Sequence, residues 1–291
     1  MDSMQAQALA GTEGAGFPFW SADSRFIAFF SGSKLKKADA SGGPPWTLCD
    51  AGLGRGGTWN AEGTILFAPS ANAPLYRVSA GGGAATPVTT LDTSKGETLH
   101  RLPYFLPDGR HFLYVAGNPY APRENPTNEI VVGSLDSAER KVLFQTRANA
   151  IYVSGHLLFL RFSSLMAQPF DAKRLEFTGD VFPIAESVRE NQVSLLGLFS
   201  VSANGVLVYP EGSGTDQQLV RTEISQRLVC RHRGHVAWLA FATDSTWMGY
   251  PLPGLTFCLN GETKVSSIRR EDRRASAADR ERTEELADRA M

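Results

Sequence analysis

At 291 residues, 42% hydrophobic and 20% charged, the chain has a globular composition and is long enough for one large all-β domain. Its 29 Lys and Arg against 30 Asp and Glu leave a formal charge of -1, which argues against a phosphate-neutralising surface, and no run of 18 apolar residues reads as a membrane span. The cysteines, Cys49, Cys230 and Cys258, are odd in number and far apart, so no disulfide framework is expected.

Residues 1–16 have neither the basic nor the apolar region of a signal peptide and read as a flexible lead-in. The chain is therefore expected in the cytoplasm, or outside it if it belongs to a membrane-anchored protein. From residue 17 a phrase recurs: Phe19-Trp20-Ser21-Ala22-Asp23-Ser24 before Phe26-Ile27-Ala28-Phe29-Phe30, then Thr58-Trp59-Asn60-Ala61-Glu62-Gly63 before Ile65-Leu66-Phe67. It returns as Tyr104-Phe105-Leu106-Pro107-Asp108-Gly109 before Phe112-Leu113-Tyr114-Val115, more loosely around Gly155, and as Val201-Ser202-Ala203-Asn204-Gly205 before Val206-Leu207-Val208-Tyr209. The turns at Asp23, Glu62, Asp108, Gly155 and Asn204 are 39, 46, 47 and 49 residues apart, the period of a four-stranded propeller blade.

Within each unit an aromatic or β-branched run predicts a strand, an acid or Asn beside a small residue reverses it, and an alternating apolar run predicts a second strand. Third and fourth strands are predicted over 34–39 and 46–49, over 74–79 and 87–91, and over 129–135 and 141–144. No long segment of period 3.6 interrupts them, which disfavours an alternating α/β fold. Residues 118–128, NPYAPRENPTN, carry three prolines and are predicted to project as a loop. Alternation fades after residue 220. Residues 221–263 read as a degenerate or frame-shifted sixth unit. Residues 264–291, with seven Arg against seven acids between Arg269 and Arg289, read as a charged tail, disordered or helical.

The wordings Trp20-Ser21-x-Asp23-Ser24, Pro107-Asp108-Gly109 and Ser202-x-Asn204-Gly205, each before an apolar strand, resemble the S-P-D-G signature of TolB-like, WD-repeat-like β-propellers. The longer stretches GRGGTWNAEGTILFAPS and LPYFLPDGRHFLYVAGNPYAPRENPTN resemble propellers that follow the kinase domain of bacterial, acidobacterial-type serine/threonine kinases. The resemblance spans roughly residues 11–220 and implies an all-β propeller of about six blades. Five units are recognisable, so an incomplete, marginally stable ring is expected. A kinase Gly-rich loop with its lysine, a His-Arg-Asp loop and an Asp-Phe-Gly triplet are not found in the sequence.

Asp23, Glu62, Asp108 and Asn204 have metal-ligand chemistry, but an acid or Asn in a strand-connecting turn is the simpler reading, and they are assigned to blade turns. Trp20, Trp59 and Phe105 read as inter-blade core rather than a stacking platform. Cys230, His232 and His235 fall short of a zinc set. Ser154 and His156 share a turn without forming a motif, and no Gly-x-Ser-x-Gly elbow, His-Glu-x-x-His or phosphate loop occurs. No catalytic, cofactor or metal residues are assigned. The loop residues Pro119, Tyr120, Arg123 and Asn125 are the candidate interaction site, because Tyr and Arg on a proline-stiffened loop make effective contacts at low entropic cost. The expected function is a non-enzymatic binding or sensor module for a protein, peptide or small ligand, with no nucleic acid and no cofactor. Two alternatives stay open: a fragment of a receptor-type kinase, and a propeller hydrolase.

Overall fold

The structure, a computed structural model, describes residues 7–118, 128–202, 205–211, 218–223, 230–233, 239–241, 247–249 and 258–260. A short strand β1 (Gln7–Ala8) is followed by a first antiparallel sheet, β2 (Gly16–Trp20), β3 (Phe26–Ser31), β4 (Lys34–Asp39) and β5 (Trp46–Asp50), paired in chain order. The second is β6 (Gly57–Trp59), β7 (Thr64–Phe67), β8 (Tyr76–Ser79) and β9 (Thr86–Pro87). The third is β10 (Leu99–Phe105), β11 (His111–Gly117), β12 (Glu129–Ser134) and β13 (Lys141–Gln145). The fourth contains β14 (Ala150–Val153), β15 (His156–Arg161), β16 (Ser164–Asp171), β17 (Glu176–Phe177) and β18 (Phe182–Ala185), the last two both pairing with β16.

A two-stranded hairpin, β19 (Glu190–Asn191) and β20 (Leu196–Gly197), precedes a fifth sheet of β21 (Ser200–Val201), β22 (Val206–Glu211), β23 (Gln218–Glu223) and β24 (Cys230–Arg233). The last sheet joins β25 (Leu239–Phe241), β26 (Trp247–Gly249) and β27 (Cys258–Asn260) to the N-terminal β1, with Gln7 opposite Leu259 and Ala8 opposite Cys258. The strand β25 lies beside both β2 and β21. Among the described residues the helical element is one 3-10 turn, Thr93–Lys95, and no helix there is long and apolar enough to cross a membrane.

The strand readings hold with small shifts, except that residues 88–91 extend beyond β9, which ends at Pro87. The second strand of each sheet explains why the sheets stack. Successive side chains point to opposite faces. Ile65 and Phe67 of β7 join the core shared with Phe19, Ala28, Phe30 and Leu35 of the first sheet, while Leu66 joins Phe105, Phe112, Tyr114 and Val131 of the third. Likewise Leu113 and Val115 of β11 face Leu157 and Phe159 of the fourth sheet, whose Leu158 and Leu160 meet Leu207 and Tyr209 of the fifth. Each such strand is buried on both faces, so it reads as an unbroken apolar run. Every fully buried Leu, Ile or Phe there contributes about 1.5–3 kcal/mol of transfer free energy.

A candidate ligand cavity where the inner strands converge

The first strands of successive sheets lie next to one another, β2 beside β6, β6 beside β10 and β10 beside β14. Where they converge there is a cavity of about 290 Å³, lined from all five of the sheets with described side chains, including Phe17, Phe19, Thr58, Tyr104, Asn149 and Ser200. Its lining is apolar and aromatic with a few neutral polar groups, and none of the described lining residues is charged.

The strands reach this convergence through a repeated irregularity. Phe17 (φ 50°), Gly56 (φ +93°), Leu102 (φ 53°) and Leu195 (φ 60°) all adopt the left-handed region at the same end of their inner segments. The pairing shifts register between Gly16 and Phe19 in β2 and between Arg101 and Tyr104 in β10. A bulge of this kind bends a strand and re-aims its side chains, and left-handed backbone in a non-glycine residue costs of order 1–3 kcal/mol. At Gly56 a Cβ would stand 2.9 Å from Leu102 Cδ2 and 3.0 Å from its Cα, so only glycine lets β6 pass this close to β10. The contact is sealed by the Leu102 N–H donating to Arg55 O at 2.9 Å.

Three polar groups in the lining have hydrogen-bonding capacity to spare. Asn149 Oδ1 accepts the Gly197 N–H at 2.8 Å, while its Nδ2 makes no hydrogen bond among the described residues. Tyr104 Oη also has no partner there, and burial pushes its pKa up to about 12, so at neutral pH it is a phenol able to donate. The Thr58 hydroxyl oxygen accepts the Phe105 N–H at 3.2 Å and keeps its own proton for donation.

Of the residues singled out in the sequence, Trp20 and Phe105 contribute to the lining, while Asp23, Trp59, Glu62, Asp108, Ser154 and His156 are not part of it. The Ser21 hydroxyl donates to Asp23 Oδ1 at 2.6 Å and, with the Arg25 N–H at 3.1 Å, holds the carboxyl below its usual range. At Asp108 partial burial raises the pKa, but His111, 2.5 Å away through Nδ1, and the N–H groups of Arg110 and His111 outweigh it, and the pKa is lowered. In the second unit Asn60, not Glu62, accepts the Thr64 N–H, and its Nδ2 donates to Gly109 O of the next sheet. Trp20 and Phe105 are buried, and Trp59 stacks on Phe26 at 6.1 Å. His156 Nδ1 meets the carbonyl oxygen of Ser154 at 2.9 Å, so this pair is not a nucleophile and its base. Asn204 and the loop residues Pro119, Tyr120, Arg123 and Asn125 lie outside the described residues, as does His235. Among the described residues no group of three His, Cys, Asp or Glu could hold a metal ion.

No protein-family model matches the chain, and no curated protein matches it. Solved structures do. Regucalcin from Agrobacterium tumefaciens, a calcium-binding protein, superposes with a TM-score of 0.61 at 14% identity, over 89% of this chain and 94% of that one. A gluconolactonase from Xanthomonas campestris gives 0.61 at 15% identity, over 89% and 88%. TolB from Acinetobacter baumannii gives 0.56 at 15% identity, over 86% of this chain and 63% of its own.

The fold is a β-propeller. The TolB-like reading of the repeats is thereby supported at the level of fold, while the kinase association finds no support among these neighbours. The expectation of a non-enzyme is corrected. The Xanthomonas neighbour of this fold is a gluconolactonase, an enzyme. The cavity where the inner strands converge draws single residues from separate sheets, an arrangement that leaves no local motif in the sequence.

Tyr104, Asn149 and Phe17 escaped the sequence reading because each looks like an ordinary strand residue. The double glycine in Gly54-Arg55-Gly56-Gly57 was the one visible sign of close backbone approach.

Proposed function

We propose that the protein binds a small organic ligand in the axial cavity, held between the Phe17, Phe19 and Tyr104 rings and oriented by Tyr104 Oη, Asn149 Nδ2 and the Thr58 hydroxyl. The observation that carries this reading is the coincidence of an aromatic-lined cavity with polar groups that keep unused hydrogen-bonding capacity among the described residues. Ligand sites are mostly apolar concavities with a few convergent polar groups. A fragment screen followed by tryptophan fluorescence tests it, since Trp20 is in the lining. Fragments should bind the wild type, and Tyr104→Phe should weaken those carrying an acceptor by about 5- to 10-fold, the worth of one hydrogen bond. A screen with no binder, or affinities untouched by Tyr104→Phe, removes the reading.

A second reading, that the bound ligand is hydrolysed, is supported by the gluconolactonase of the same fold. Purified protein is expected to open a lactone or ester faster than buffer alone, and to lose that excess in Tyr104→Phe. No turnover across a lactone and ester panel rules the reading out.

We further infer that the six four- or five-stranded sheets are six blades and that β1 closes the ring as the outermost strand of the last. This is supported by the β1–β27 pairing and by β25 standing between β2 and β21.

A further inference from the structure

We propose that the ligand of the axial cavity is a small organic acid, whose carboxylate is received by Arg55 and whose apolar or aromatic body fills the cavity. The inference rests on the axial cavity being the ligand site and adds the chemical class of what it takes.

Arg55 adjoins the cavity through two lining residues. It precedes Gly56, and its guanidinium carbon stands 5.6 Å from the centroid of the Phe17 ring. It is half-buried, and it makes no ion pair among the described residues. Its Nη1 donates to Leu53 O and Gly54 O, both at 3.0 Å, while Nη2 and Nε make no hydrogen bond among the described residues. Burial pushes its pKa down, the sign of a cation that has lost water without gaining an anion.

The contrast with Arg101 separates a clamp from a receptor. Arg101 is fully buried and spreads its guanidinium over carbonyls: Nε and Nη2 on Ala71 O, Nη1 on Val193 O. That is an arginine used to tie loops together. Arg55 leaves the Nε–Nη2 edge of its guanidinium unused, the edge that meets a carboxylate with two parallel hydrogen bonds.

The stem of Arg55 is also held in place. A Cβ at Gly54 would lie 2.2 Å from the Phe30 ring, and Gly56 cannot carry one for the reason given above. Between them, the Arg55 N–H donates to Ala68 O at 3.0 Å and its carbonyl accepts from Leu102. The cation is thus presented on fixed backbone beside a neutral cavity at the small end of ligand-site volumes, about 300 Å³. That combination selects one charged head on a compact apolar body.

The test uses the full chain with two probes of one shape, 4-phenylbutyrate and the neutral 4-phenylbutan-1-ol, titrated calorimetrically against wild type, Arg55→Met and Arg55→Lys. The acid is expected to bind the wild type about 10- to 100-fold tighter than the alcohol, the range for a hydrogen-bonded charge pair. Arg55→Met should erase that preference while leaving the affinity for the alcohol unchanged, which also shows that the variant is folded, and Arg55→Lys should keep part of it. Equal binding of acid and alcohol to the wild type, or a preference that survives in Arg55→Met, overturns the inference and leaves the cavity reading standing. Failure of both probes to bind the wild type overturns the cavity as their site.

Discussion

Replacing Glu97 by alanine is expected to lower the free energy of unfolding by about 3 kcal/mol, the low end of what removing one partner of a buried ion pair costs, because Arg140 retains some exposure. Glu97 is buried in the turn leading into β10. Arg140, in the loop before β13, grips it with both Nη1, at 2.9 Å, and Nη2. Its Oε2 also accepts the Asp92 N–H at 2.8 Å and lies 3.2 Å from His100 Nε2. His100 Nδ1 lies 2.7 Å from Thr89 Oγ1, which accepts the Leu75 N–H. The Glu97 carboxylate can only accept, so Nε2 carries the proton of the neutral imidazole and donates it, and the Thr89 hydroxyl gives its own proton to the bare Nδ1. The chain of bonds joins the second sheet to the third around a neutral imidazole packed edge-on to Tyr114.

Acid should dismantle this network, and the sign follows from both groups. Burial lowers the His100 pKa below 6.5 despite the pull of Glu97. Burial raises that of Glu97, but Arg140, the Asp92 N–H and His100 outweigh it, and the result is below 4.5. Each group therefore stabilises the fold above its unfolded value and loses that contribution as pH falls through its folded one. Stability should begin to decline below about pH 6.5 and fall further through the carboxylate range. Glu97→Gln should lose the lower part of this dependence. Urea titrations across pH test both statements; a loss under 1 kcal/mol in Glu97→Ala, or an unchanged acid limb in Glu97→Gln, would show that water already screens the pair.

Deleting residues 1–10 is expected to lower the melting temperature by roughly 10 °C, at about 2–4 °C per kcal/mol for a domain of this size. The deletion removes β1 and with it the partner of β27, and it also removes Leu9, which is buried. The last sheet would keep three strands and its outer edge would pass to β27, whose unpaired backbone invites pairing with other chains. Amide exchange should quicken first in β26 and β27. If the melting temperature and the exchange of those strands are unchanged, β1 does not close the ring.

Much of the fold was legible because blade building is local. Phe112-Leu113-Tyr114-Val115 alternates between two neighbouring cores, and an unbroken apolar run between turn residues is the signature of a strand covered on both faces. Asp108 and Asp23 hold their own turns with hydrogen bonds spanning two or three residues, so their chemistry is visible at that range. The sixth sheet was hard to read for a related reason: β1 is separated in sequence from the strands it joins, and pairing across most of a chain leaves no periodic trace.

The candidate site was almost illegible. Arg101 and Arg55 each precede a residue of positive φ where β10 and β6 meet, yet Arg101 is consumed by carbonyls while Arg55 keeps an unused guanidinium edge among the described residues. Tyr104 looks like another strand aromatic until convergence of the inner strands places it in the lining of a cavity. Alternation, turn chemistry and period are short-range properties, and they were enough to establish an all-β repeat and where its strands lie. The cavity, the unspent donors around it, the Glu97–His100–Arg140 network and the seam at β1 arise where residues tens to hundreds of positions apart meet, and such meetings are settled by how the sheets pack around a common axis.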